Sequence, residues 1–259
     1  MSRLRTGALA AACALLAGCG AGGAGGNYAW GWYVLDPFHP KGGSNLAFLL
    51  SGAGATLVIS VGALSVSVMA GALLAVAGLS GNRVLRWLNR TYVEVFRAIP
   101  LLVLLLWIYY GLPTLLGIAF PVFWAGLVTL ALSDAAFEAE IFRAGLQSVP
   151  KGQREAADTL GLSRWHAFRH IVLPQALRHI APALGNQFVY VLKMSSLVSV
   201  VGYQELTRRA NELTLVEYRP LEIYSLLVLE YLALILVVSW LVRRVERRLG
   251  ASDGPTAKH

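Results

Sequence analysis

Charged side chains stand at a few positions inside long apolar stretches of this chain. Asp134 and Glu138 lie four residues apart, so a helix would place them on one face. Lys193 and Glu230 lie in two later apolar stretches. Because a charge inside a membrane is costly, residues of this kind are expected to bind an ion or a polar solute, or to pair with one another.

Two serines follow Lys193 and would add hydroxyl groups to a polar pathway. The predicted pathway residues are Asp134, Glu138, Lys193, Ser195, Ser196 and Glu230. The helical rise puts Asp134 and Lys193 at overlapping depths, so an ion pair between them is a specific hypothesis. For Asp134 and Glu138 the alternative to lining a cavity is helix packing or a buried ion pair.

The sequence carries no credible catalytic set. The phosphate-binding pattern Gly-x-x-x-x-Gly-Lys-Ser/Thr is missing, so no nucleotide-hydrolysing site is expected in this chain. His166 and His170 lie four residues apart and could hold a metal ion, but no further ligand cluster lies beside them. We therefore expect a non-catalytic chain without a cofactor or metal of its own.

The composition is that of a membrane protein. Of 259 residues 56% are hydrophobic and only 14% are charged, and the mean hydropathy is +0.60. The net charge of +8 is concentrated in three clusters that flank apolar stretches, as expected of cytoplasmic loops rather than of a nucleic-acid-binding surface. The clusters consist of Arg83, Arg86, Arg90 and Arg97; of Arg143, Lys151, Arg154, Arg164, Arg169 and Arg178; and of Arg243, Arg244, Arg247 and Arg248.

The apolar stretches predict five transmembrane helices. Residues 98–133 carry no charge and would extend about 54 Å as one helix, against about 30 Å for the hydrocarbon core. The chain must therefore turn there, and the expected place is marked by Gly111, Pro113, Gly117 and Pro121. The other spans are expected at 48–79, 122–146, 182–202 and 224–242, with the N-terminus outside and the basic C-terminus inside.

The polar and basic stretch 149–174 predicts two short helices between two spans. Pro150 suits the first turn of a helix, Gly161 the left-handed residue just past its end, and Ser163 the cap of a second helix. Leu173-Pro174 is expected to stop that second helix. Ala156 and Ala157 share a face of the first helix and would let another surface approach closely.

The spacing of residues in this stretch resembles the EAA loop of permease subunits of ATP-binding-cassette (ABC) importers. The residues that carry the resemblance are Glu155, Ala156, Ala157, Gly161, Ile171, Leu173 and Pro174. In that family the loop is the coupling helix, which docks on a cytoplasmic ATPase. Similarity to the polar-amino-acid branch of the family extends over residues 46–250, including the segments 92–103 and 136–145.

The resemblance implies an all-α integral membrane protein with the type I ABC importer permease fold, in the bacterial inner membrane. It also implies the partners: ABC ATPase subunits that bind ATP and Mg²⁺, an external substrate-binding protein that delivers a polar amino acid, and a second permease subunit, identical or paralogous. A secondary transporter or channel with an intramembrane ion relay is the main alternative, although the odd span number and the missing inverted repeats argue against it. The second alternative is a non-transporting lipoprotein or membrane scaffold.

The N-terminal segment, residues 1–26, has the layout of a secretory signal. Arg3 and Arg5 precede an apolar stretch, and Leu16-Ala17-Gly18-Cys19 resembles a lipobox, in which Cys19 would be lipidated. An uncleaved signal anchor, which would add a sixth span, and a start codon assigned too early are the alternatives. We expect an external aromatic segment at 27–47, the permease domain at 48–249 and a cytoplasmic tail at 250–259.

Overall fold

The computed structural model describes residues 28–117 and 119–248. Every regular element in these two ranges is a helix. The chain divides into two compact units, Met1–Gly31 and Trp32–His259, and the helices belong to the second. Cys19 and the segments 1–26 and 250–259 lie outside the described residues, so the expectations for them stay predictions.

A 3₁₀ turn at Trp32–Val34 precedes the long helices. The helices of the described ranges are α1 (Pro40–Leu79), α2 (Arg83–Ala98), α3 (Leu101–Leu116), α4 (Val122–Gln147), α5 (Lys151–Thr159), α6 (Arg164–Val201), α7 (Leu206–Glu217) and α8 (Pro220–Arg248). Helices α3 and α6 each contain a π-helical turn, at Trp107–Gly111 and Phe168–Val172.

Helix α1 begins earlier than the sequence predicts, at Pro40 within the expected aromatic segment. The side chain of His39 accepts a hydrogen bond from the backbone N–H of Lys41 and caps the helix, and proline fits its first turn. The side chain of Asn45 donates to the carbonyl of Val34, so polar residues that suggest a loop are satisfied inside the helix. The 40 residues of α1 extend about 60 Å.

The second apolar stretch begins at a sharp bend. Helices α2 and α3 meet at an angle of 100°. Pro100 restricts the backbone of Ile99 to an extended conformation, which ends α2. The turn between α3 and α4 follows at Gly117, with a φ of +67°, and Pro121 precedes α4, as predicted. The predicted turn residues Gly111 and Pro113 instead lie within α3.

Helix α6 is continuous through two prolines. The expectations that Leu173-Pro174 ends a short second helix and that Pro182 opens a span are both wrong. A π-helical turn at Phe168–Val172 immediately precedes Pro174, which therefore falls in the first turn of the next α-helical stretch, where its missing N–H is tolerated. The second short helix is thus the beginning of a helix of 38 residues.

Four of the helices just described, α1, α4, α6 and α8, are long and apolar enough to cross a membrane, and the bent pair α2–α3 makes a fifth if it counts as one span. Helix α4 is the central one. Of its most apolar 18-residue segment 61% is buried, whereas only 6% of the corresponding segment of α8 is buried. The chain is an all-helical, multi-pass membrane protein.

Helices α1 and α4 make the most extensive contact in the fold. Gly71 of α1 lies so close to Glu138 and Ala139 of α4 that a Cβ placed there would be 2.9 Å from the backbone nitrogen of Ala139. Lipid hydrocarbon is as apolar as leucine, so helices in a membrane associate through close packing and hydrogen bonds rather than through the hydrophobic effect. Small residues are therefore what allows this contact.

Replacing Gly71 by alanine should lower the free energy of unfolding by about 1–3 kcal/mol, because the new methyl group meets backbone that cannot move away. Gly54→Ala is the matched control on the same helix, since a Cβ there would meet nothing within 4 Å. That change should leave stability equal or slightly higher, because alanine favours the helix. Thermal unfolding in detergent measures both variants, and equal effects would contradict a tight α1–α4 contact.

Candidate functional site

The short helix α5 and the turn after it form as the sequence predicts. Gly161 takes a left-handed conformation, with a φ of +69°. The N–H of Leu162 donates to the carbonyl of Ala157 and the N–H of Gly161 donates to that of Asp158, which closes the end of the helix. Ser163 caps α6 through the N–H of His166. The turn is thus a defined structure rather than a loose linker.

This turn is fastened to the ends of two long helices. Val149 packs in a buried cluster with Val172, Ala176 and Ile180 of α6. A nitrogen of the Arg154 guanidinium donates to the carbonyl of Leu146 in the last turn of α4, at 2.9 Å. A displacement of α5 would therefore be transmitted to α4 and α6.

The two alanines of the resemblance do not share an open face. Ala157 is 1% exposed and turns into the protein, whereas Ala156 and Glu155 are exposed. The expectation that both alanines leave room for a partner is therefore wrong for Ala157. The side chain of Leu160 is 76% exposed at the tip, which makes it the most prominent apolar group of the turn.

The remaining residues of the resemblance lie at the start of α6. Ile171 belongs to the π-helical turn and is half-buried, and its carbonyl accepts a hydrogen bond from Gln175. Leu173 is half-buried and Pro174 is exposed. None of these three residues lines the neighbouring cavity of 330 Å³, which lies between α5, the start of α6 and the ends of α1 and α4. Its lining consists of Leu79, Leu146, Arg154, Asp158, Arg164, Ala167, Phe168 and Val172.

Asp134 connects three helices rather than lining an open space. It is 3% exposed and accepts hydrogen bonds from the hydroxyl of Ser67 in α1 and from the amide of Gln187 in α6. Lys193 is exposed and takes no part in this network. The predicted ion pair between Asp134 and Lys193 is therefore wrong in this structure. Ser67 and Gln187 were missed because an uncharged residue in an apolar stretch gives no sequence signal.

Glu138 lies one turn further along α4, in the tightest part of the contact with α1. It is completely buried against Gly71, and neither carboxyl oxygen has a hydrogen-bond partner within the described part of the chain. The structure thus puts Asp134 and Glu138 in helix contacts, which is the alternative to cavity lining.

The other predicted pathway residues lie in different places. Ser195 is buried and Ser196 half-buried, and their hydroxyls donate to the backbone of α6, at Leu192 and Lys193. Glu230 belongs to α8 and borders an apolar groove of 420 Å³ between α8 and α1. The six residues are therefore not assembled into one site.

Glu205 is a structural residue that the sequence does not single out. It stands in a segment of mixed charges, yet it is completely buried at the start of α7. Its carboxylate accepts hydrogen bonds from the N–H groups of Thr207 and Arg208 and from the hydroxyl of Tyr231 in α8. Burial raises the pKa of Glu205, and these hydrogen bonds oppose that rise.

The close approach of α1 completes this junction. Gly52 has no side chain, and a Cβ there would lie 2.7 Å from the backbone nitrogen of Leu206. The hydroxyl of Thr56 accepts a hydrogen bond from the same N–H. Helix α7 is therefore held firmly at the end of the bundle opposite α5.

Residues 67–251 match the family described as Binding-protein-dependent transport system inner membrane component. The chain belongs to this family. It is 36% identical over 208 residues to the arginine transport system permease protein ArtQ of Bacillus subtilis (strain 168), covering 80% of this chain and 95% of that protein. It is 38% identical over 219 residues to the glutamine transport system permease protein GlnP of Escherichia coli (strain K12), covering 84% and 97%.

Solved structures of the family share the fold. The crystal structure of an amino acid ABC transporter with histidines aligns with a TM-score of 0.75 and 39% identity, over 79% of this chain and 95% of that one. An inward-facing MetNI methionine ABC transporter aligns with a TM-score of 0.66 at 21% identity, over 80% of this chain and 98% of that one, which shows the fold alone. The all-helical architecture is thus that of a type I ABC permease.

Replacing Glu205 by alanine should lower the free energy of unfolding by about 2 kcal/mol, because the cap of α7 is lost and the hydroxyl of Tyr231 is left without its acceptor. Glu212→Ala removes an acid of the same helix that pairs with Arg208 at the surface, at 2.8 Å. This control should cost about 1 kcal/mol or less. Hydrogen exchange of residues 206–217 checks both, and a loss of protection in Glu212→Ala as large as in Glu205→Ala would contradict the junction.

Proposed function

We propose that this chain is the pathway-forming permease subunit of an ABC importer for a polar amino acid. The observation that carries the proposal is the firmly anchored turn at residues 149–174, in a chain of the binding-protein-dependent family. The basic clusters that flank the spans favour an orientation with this turn and the C-terminus on the cytoplasmic side of the bacterial inner membrane.

In this proposal the turn at 149–174 docks on an ATPase subunit. The exposed Leu160 at its tip supplies an apolar contact, and the attachment of α5 to α4 and α6 carries the movement into the spans. ATP and Mg²⁺ would bind to the partner, since this sequence has no phosphate-binding loop. The chain itself would be non-catalytic.

The proposed substrate class rests on the names of the similar proteins. Two of them are named for arginine and glutamine transport, and the structural neighbour is an amino acid transporter. A polar amino acid delivered by an external binding protein is the substrate that these names share. The charged surface of α7, which Glu205 holds in place, is a suitable docking area for that protein.

We place the pathway on the face of α6 that exposes Lys193, to be closed by a second permease subunit, identical or paralogous. Lys193 lies eight residues, about 15 Å, from the outer end of α6, whose last seven residues, Ser195–Val201, are 3₁₀-helical. A lysine at that depth that faced lipid would cost about 2.5–3.5 kcal/mol, so a polar cavity or a partner subunit is the favourable environment. A secondary transporter with an ion relay is not favoured, because the charged residues lie apart.

The test of coupling is Leu160→Ser, in proteoliposomes that contain the ATPase and the binding protein. ATP-driven uptake should fall at least tenfold, because the apolar contact of the docking turn is lost. Membrane insertion and thermal stability should not change, because the side chain is 76% exposed.

Leu215→Ser is the matched control, since Leu215 is 72% exposed on α7 at the opposite end of the bundle. The two variants are compared by the fraction of ATPase subunit that co-purifies with the permease. Only Leu160→Ser should lower this fraction. Equal co-purification would contradict docking at Leu160. Uptake that continues without the ATPase would overturn the ABC importer itself.

Lys193→Met tests the pathway. Uptake should fall about tenfold or more with unchanged thermal stability, because a polar group of the pathway is lost. Lys41→Met, at the start of α1 and outside the apolar spans, is the control and should leave uptake unchanged. If Lys193 faced lipid instead, its replacement would raise stability and leave uptake intact, and this result would contradict the pathway.

A further inference from the structure

A basic cavity of 380 Å³ lies between the end of α1, helix α2 and the last turns of α4. Its charged lining consists of Arg86, Arg90, Arg97, Arg143, Glu94 and Glu140. The cavity belongs neither to the docking turn nor to the face of α6 that exposes Lys193. It lies at the end of the bundle where the first two basic clusters meet.

The charges around this cavity do not cancel. Glu94 pairs with Arg90 at 2.7 Å, and Glu140 pairs with Arg143. Four arginines against two glutamates leave a charge of +2, carried by Arg86 and Arg97. The guanidinium of Arg97 stacks over the ring of Phe137 at 5.2 Å, which holds it in place without neutralising it. An anion is the complementary ligand.

The buried side chain of Asn89 sets a second chemical requirement for the ligand of this cavity. It lines the cavity and is only 9% exposed, and its Oδ1 is buried without a hydrogen-bond partner among the residues that the structure describes. Its Nδ2 packs over Gly78, where a Cβ would lie 2.6 Å away. A buried acceptor of this kind needs a donor, so the ligand should carry a hydroxyl or ammonium group beside its negative charge.

The side of α2 away from these charges is apolar and exposed. The exposed apolar residues are Val84, Leu85, Trp87, Leu88 and Val95. Because the chain turns by 100° between α2 and α3, α2 runs across the direction of the span that follows it. A helix with arginines on one side and tryptophan and leucine on the other is suited to the boundary between headgroups and acyl chains.

We infer that this cavity binds the headgroup of an anionic phospholipid of the phosphoglycerol type. The phosphate contacts Arg86 and Arg97, a glycerol hydroxyl donates to Oδ1 of Asn89, and the acyl chains follow the apolar side of α2. Bound lipid fixes α2 against the ends of α1 and α4. The inference goes beyond the transport function and does not depend on which solute is carried.

The test is lipid retention by the full-length purified chain, measured by native mass spectrometry. Phosphatidylglycerol should be retained in preference to phosphatidylcholine with the same acyl chains. Arg86→Gln with Arg97→Gln should weaken that retention about thirtyfold, since each basic residue near an anionic lipid contributes about 1 kcal/mol. Arg83→Gln with Arg243→Gln removes the same charge outside the cavity and should change retention little.

Three further measurements test this lipid site: the Asn89 variant, the lysine double variant and displacement by free phosphate. Asn89→Ala should weaken the retention of phosphatidylglycerol but not of phosphatidylmethanol, an anionic diester whose headgroup has no hydroxyl. Arg86→Lys with Arg97→Lys keeps the charge and should keep most of the binding, which separates loss of charge from misfolding of the glutamine variant. Equal retention of phosphatidylglycerol and phosphatidylcholine would overturn the inference. An equal loss of retention in Arg86→Gln with Arg97→Gln and in Arg83→Gln with Arg243→Gln would overturn it too. Displacement of lipid by millimolar inorganic phosphate or glycerol phosphate would show a site for free phosphate instead.

Discussion

The close contact between α1 and α4 is the constraint on which the rest of the structure depends. Two helices in hydrocarbon gain nothing from the hydrophobic effect when they associate. Their contact therefore depends on small residues such as Gly71 and on hydrogen bonds such as those that Asp134 accepts from Ser67 and Gln187. These bonds bring α6 into the same unit. Asp134, which looks like a pathway residue in the sequence, therefore joins helices by hydrogen bonds, and Glu138 is packed inside the α1–α4 contact.

This central unit connects the two ends of the molecule. Helix α4 leads directly into the turn at 149–174, and α6 begins within that turn, so α5 is attached to both. At the opposite end, Glu205 fixes α7 to α8 while Gly52 and Thr56 fix it to α1. In the proposed function a movement passes from a partner ATPase to the far end of the permease, and it needs such attachments at both ends because a loose joint would absorb the movement.

Local signals in the sequence were reliable where the chain alone decides the geometry. Gly161 and Gly117 take the left-handed conformation that their neighbours require, and Ser163 caps the helix that follows. They were unreliable at Pro174 and Pro182, where a helix break was expected. A π-helical turn and the packing of neighbouring helices keep α6 continuous there, and neither can be read from a proline.

The sequence by itself determined an apolar, helical membrane chain with basic clusters beside its spans and a short helical turn of defined spacing at 149–174, because hydropathy, charge and turn residues act over a few neighbouring positions. Only the tertiary structure decided which side chains face one another. It buried Ala157, separated Asp134 from Lys193 and placed Glu205 at the junction of α7 and α8. The physical reason is that burial and pairing in a membrane depend on contacts between helices distant in sequence, whose rotation and depth no local pattern specifies.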